Sequence, residues 1–192
     1  MAVEEYSHLN KSPITAKNAN QIGEALKRHG FDVTVSANPN NAVARATLRD
    51  FAQKAEGAHA AIIVLTGHGA SAAGMTYFLP GNAEITRDTD LLSRGLAVPS
   101  VAQIAGKAKH GAVFFLMTVA EIPTTLQSIG ARPSLASSPS DNVVVVFSSS
   151  DKVPVSRVDK VSEQAARDFA DAAGETPLLM TALVNSAAAG GV

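Results

Sequence analysis

A chain of 192 residues, 46% hydrophobic and 17% charged, can bury a real core as one domain and is too apolar to be disordered. Its 16 basic and 17 acidic residues leave a net charge of −1, which excludes the footprint of a nucleic-acid binder and the stripe of a membrane-surface protein. The absence of any cysteine excludes disulfides, cysteine-ligated zinc and a thiol nucleophile, and no apolar run reaches the length of a bilayer span. The first residues, Met-Ala-Val-Glu-Glu-Tyr, lack the basic and then apolar pattern of a signal peptide. The expected compartment is therefore the cytoplasm, or the periplasm if a signal segment has been removed.

Residues 1–11 are polar and suggest no element. Pro13 can open a helix, and residues 16–29 carry Ala19, Ile22, Ala25 and Leu26 at helical spacing, with Gly30 as the stop. Residues 31–36 alternate apolar and polar, which predicts a strand. A loop at 38–41 precedes an amphipathic helix over 42–56, with Val43, Ala46, Leu48, Phe51 and Ala52 on its apolar side. Residues 61–65 form a continuous apolar run, predicting a strand covered on both faces, and Gly67-His68-Gly69 reads as a tight turn at its end. A small-residue loop over 70–74 and a short strand over 75–79 follow. A turn of helix is expected around 90–93 and a helix over 99–109. Residues 111–119 and 142–148 read as two further buried strands. Residues 122–129 form a short helix at most, 130–141 a loop, 152–158 an irregular stretch or short edge strand, and 160–173 and 177–188 two helices. Residues 189–192 are expected to fray.

Strands alternating with helices predict an α/β sandwich on a mostly parallel sheet. The carboxyl ends of three strands would then meet at one edge, where open α/β sheets place their chemistry. They carry Gly67-His68-Gly69, Val119-Ala120-Glu121, and Ser148 to Asp151.

The ordered set Gly30-Phe31-Asp32-Val33, Thr66-Gly67-His68-Gly69, residues 75–83 (Met-Thr-Tyr-Phe-Leu-Pro-Gly-Asn-Ala), the strands at 113–123 and 143–152, and the late helix at 176–183 resembles the caspase-like cysteine peptidases. The likeness is to the bacterial branch alongside metacaspases, and it covers the chain from about Tyr6 onward. It implies a three-layer α/β/α sandwich with a mostly parallel sheet, spanning 1–192 as one domain, and a cysteine-type endopeptidase activity with no cofactor. In such a family a histidine base serves a cysteine thiolate while backbone N–H groups hold the oxyanion. His68 matches the base and Gly69 a backbone donor.

Two departures stand against the family pattern. The family's buried first strand has no counterpart in Met1 to Glu5, so that strand is missing or truncated and a neighbouring strand would be exposed. The family's Leu-Asp-x-Cys-Arg aligns with Leu116-Met117-Thr118-Val119-Ala120, so Val119 stands at the nucleophile and Met117 at the acidic residue that helps hold a basic substrate side chain. A one-residue slip puts Ala120 at the nucleophile instead, and neither register has a thiol. Thr118, beside the matched position, is expected to point away from His68 because strand side chains alternate. Met117 in place of a carboxylate would leave a buried guanidinium without its counter-charge.

These residues predict a catalytically inactive caspase-like domain, a pseudo-peptidase that binds or regulates. Met117, Ser149 and Asp151 are the candidate binding residues of its cleft. The expected partner is a peptide or protein, or a second copy through a sheet edge, with no nucleic acid and no membrane. The alternatives are a cysteine endopeptidase whose Cys was changed to Ala at 120, and a hydrolase using Thr118 or a serine. His68 is read as a turn histidine held by backbone hydrogen bonds in preference to a catalytic group. His8, His29, His59 and His110 are read as solvated side chains at element ends, and no pair has metal-ligand spacing with a carboxylate.

Overall fold

The computed structural model describes residues 1–12, 16–28, 30–72, 74–119, 129–130 and 142–149. The helices expected at 160–173 and 177–188, the segments at 122–128, 131–141 and 152–158, and the tail at 189–192 lie outside the described residues.

The first helix, α1 (Ala16–Arg28), buries Ala19, Ile22 and Leu26 as the spacing predicts. It ends where Gly30 takes a positive φ of 84°, and its N–H bonds the Lys27 carbonyl at 3.0 Å. At Gly23 an added Cβ would stand 2.9 Å from Val35 Cγ2, so glycine is what lets α1 approach residues 33–35. The predicted strand over 31–36 is not a ladder strand. Among the described residues its neighbourhood holds one isolated bridge, Ala2 to Ala37, with Ala2 also bridging Thr66 on its other side.

Helix α2 (Asn41–Ala55) starts at Asn40, whose side-chain oxygen accepts from the Val43 N–H at 2.9 Å. Its buried face is Ala44, Leu48 and Ala55, with Phe51 half-buried between the last two. Val43 is 47% exposed, which corrects its assignment to the apolar side. Asn40→Ala is expected to cost about 1 kcal/mol, because it orphans a first-turn N–H. Urea unfolding of the variant checks this, and a midpoint equal to wild type would remove the cap from the account.

Strand β1 (Ala60–Ala72) is the axis of the sheet. It does not stop at residue 65. It runs through Gly67-His68-Gly69 and on to Ala72, so the expected turn at 67–69 and loop at 70–72 are replaced by strand. Backbone pairing on both sides holds the extension: parallel β4 (His110–Val119) on one flank, antiparallel β2 (Met75–Phe78) on the other. The chain reverses into β2 after Ala72, and Gly74, just before β2, has a φ of 76°. Beyond Asn82 the chain forms the short helix α3 (Asp90–Arg94), the two-residue strand β3 (Leu96–Ala97) and helix α4 (Val98–Ala105), with Pro99 in its first turn. Strands β5 (Ile129–Gly130) and β6 (Val143–Ser149) complete the described sheet.

The strand order is β3-β2-β1-β4-β6, with β5 also pairing to β1. The long central ladders, β1 with β4 and β4 with β6, are parallel, and the short flanking ones are antiparallel. Alternate residues Ile63 and Leu65 of β1 and Val113 and Phe115 of β4 face one core with Ala44 and Leu48 of α2 and Val101, Ala102 and Ala105 of α4. That is the helix-on-sheet layering of an α/β fold. Phe115, Phe78 and Leu65 are fully buried there, each removing enough apolar surface to contribute roughly 1.5–3 kcal/mol.

Candidate active site

His68 sits deep in β1 and is 1% exposed. Three features hold it. Its backbone N–H donates to the Tyr6 hydroxyl at 2.6 Å, its backbone carbonyl accepts from the Leu79 N–H at 2.9 Å, and its Nε2 lies 2.7 Å from the Asn10 carbonyl. The Tyr6 ring also lies over the imidazole, with ring centroids 4.6 Å apart and planes tilted by 32°. A carbonyl can only accept, so Nε2 carries a proton, and any proton the ring takes up goes to Nδ1. The Asn10 carbonyl thus sets the tautomer, as the orienting partner of a catalytic base does.

The other flank of β1 explains how this is built. Val3 donates to the Thr66 carbonyl at 2.8 Å, and Thr66 donates to the Met1 carbonyl at 3.0 Å. Two residues on, the acceptor that a continuing strand would offer is supplied by Tyr6, whose hydroxyl accepts from the His68 N–H and donates to the Leu79 carbonyl at 3.1 Å. Burial pushes the Tyr6 phenol well above its ordinary pKa, so it keeps that proton. Residues 1–6 therefore cover β1 from 64 to 68, and the exposed strand expected from a short N-terminal segment does not arise there. Asn38, in the left-handed region at φ 48°, ties the segment down: its Oδ1 accepts from Glu4 N–H at 2.8 Å and Glu5 N–H at 3.0 Å.

The parallel register sets the cleft positions. His68 is level with Thr118, Gly69 with Val119, and Gly67 with Met117, which is in turn level with Ser149 of β6. The backbone thus brings Met117 and Ser149 to the rung before the histidine. It places Thr118, not Val119, directly beside His68. The expectation that Thr118 points away from His68 concerns its side chain, which lies outside what is described. Ala120 and Asp151 lie outside the described residues.

Tyr6, Asn10 and Asn38 were missed in the sequence. Tyr6 is one of two tyrosines in the chain, but no local pattern connects it to a histidine 62 residues away.

Among the described residues no three His, Cys, Asp or Glu side chains cluster as metal ligands, and no helix is long and apolar enough to cross a membrane. Comparison with curated proteins finds no match. The sequence model of the peptidase C14 caspase domain matches residues 1–160, which take in all the described elements. With its histidine at the middle of the parallel sheet and five-sixths of its length within that match, the chain belongs to the caspase-domain family.

Proposed function

We propose that this domain is a caspase fold that binds a peptide or protein segment without cleaving it. One observation carries the reading. No cysteine occurs in the chain, and the residues level with the histidine and its neighbour across the sheet are Thr118 and Val119. A valine cannot attack a carbonyl, and an imidazole with no thiol beside it has nothing to convert to a thiolate. Met117, one rung below, replaces the acidic anchor with a thioether, so the same cleft is also poor at holding a basic side chain. The contacts on His68 hold its backbone and ring in place whether or not it acts as a base. A peptide lying across the carboxyl ends of β1, β4 and β6 is the ligand this architecture suits.

The test uses the purified chain with fluorogenic peptides carrying Arg, Lys or Asp before the scissile bond, and with an electrophilic peptide probe. The expected result is no turnover and no covalent adduct. Hydrolysis that disappears in His68→Ala would overturn the reading.

The register favours one second reading, a hydrolase in which Thr118 is the nucleophile. The hydroxyl oxygen would attack the carbonyl carbon, its proton passing to Nδ1 of His68 and later to the leaving amine. Activity lost in both Thr118→Ala and His68→Ala would select it. Activity surviving Thr118→Ala would exclude it.

A further inference from the structure

We propose a second site, at the opposite end of the sheet, where His59 and His110 together bind a borderline divalent cation of the zinc class. The two residues precede and open the neighbouring parallel strands β1 and β4. Backbone bonds hold them side by side: His110 N–H donates to the His59 carbonyl at 3.1 Å, and Lys109 N–H donates to the Ala58 carbonyl at 3.0 Å. Gly57, with φ 75°, makes the turn that delivers His59 to this position. Both imidazoles are exposed, and their ring centroids are 5.2 Å apart.

That separation suits shared ligation. A zinc–nitrogen bond of about 2.0–2.1 Å puts each ring centroid roughly 3.2 Å from the ion, and a tetrahedral angle between two such ligands spaces the centroids by about 5.2 Å. The rings now meet edge to face at 69°, so ligation requires an exposed ring to turn about its own side-chain bonds, with no movement of the backbone. Among the described residues no third His, Cys, Asp or Glu side chain joins them, so water would complete the coordination and binding would be weaker than at a closed structural site. Lys109, next to His110, and Lys107 further lower the affinity for a cation by like charge.

The site is distinct from the cleft. His59 and His68 are nine residues apart along an extended strand, about 30 Å at roughly 3.3 Å per residue. An ion here would tie together the amino ends of the two central strands and raise the folded state's stability by mass action.

Calorimetric titration with Zn²⁺ alone tests the proposal, in wild type, His59→Ala, His110→Ala and the surface control His8→Ala. We expect one saturable site in wild type and in His8→Ala. Each of the other two variants should weaken it at least tenfold, and the zinc-induced rise in Tm should disappear with it. All three substituted positions are exposed, so the variants are expected to fold. Wild-type protein that binds no zinc, or binding that persists in both His59→Ala and His110→Ala, overturns the proposal. Because the readout is binding at the sheet's amino end, it stands or falls separately from any peptidase assay.

Discussion

Replacing Gly67 with alanine is expected to destabilise the protein by on the order of 3–5 kcal/mol and to release residues 1–12 from the sheet. Gly67 has a φ of 149°, where a side chain is strained. An added Cβ there would stand 2.6 Å from the Tyr6 hydroxyl, 3.0 Å from the Val3 carbonyl oxygen and 3.2 Å from Val3 Cβ. Two of those three neighbours belong to Val3, whose backbone is pinned to Thr66, so the segment cannot shift by a few tenths of an ångström without breaking its ladder. Chemical denaturation measures the loss, and limited proteolysis of the N-terminal segment measures the release. A variant within 1 kcal/mol of wild type and equally resistant to protease would mean that Gly67 is not the reason the segment can approach.

Removal of one oxygen in Tyr6→Phe is the second large effect. The hydroxyl satisfies two backbone groups, the His68 N–H and the Leu79 carbonyl, and the former belongs to a residue almost fully out of water. Orphaning both costs roughly 2–6 kcal/mol, at about 1–3 kcal/mol for each unsatisfied buried group. Phenylalanine keeps the ring over His68, so the experiment isolates the hydrogen bonds from the stacking. Amide exchange at His68 should accelerate along with the loss of stability. An unchanged exchange rate would show that the tyrosine oxygen is not the acceptor. The two substitutions are also coupled, because the oxygen removed by one is the atom that the other strikes. Gly67→Ala should therefore cost less in the Tyr6→Phe background than alone.

The Gly-His-Gly segment thus has a different explanation from the one its sequence suggests. Two glycines around a histidine read as a turn that presents an imidazole at a strand end. In the fold the strand continues through all three residues, and the first glycine leaves room for a phenol arriving from the N-terminal segment. The histidine lies on the central strand as a buried, backbone-clamped group and not a side chain on a loop.

Much was legible without coordinates because its causes are local. The apolar runs that became β1, β4 and β6 predict strands from their own composition, although Ile62 and Val64 of β1 are only half-buried and not fully covered, and the spacing of Ala19, Ile22 and Leu26 predicts the buried face of α1. Gly30 at a helix end and Pro99 at a helix start predict boundaries by their own backbone limits. The missing thiol is a fact of composition.

The tertiary structure alone decided which groups surround the histidine. Tyr6 and Asn10 reach His68 across 62 and 58 residues, and hydrogen bonds of that span leave no periodicity to read. Nor could the pattern of either strand set the register between β1 and β4. The paired runs, residues 61–65 and 112–116, are apolar throughout, so composition alone marks no single register between them. The choice that puts Thr118, and not Val119, beside His68 is made by packing of the whole sheet.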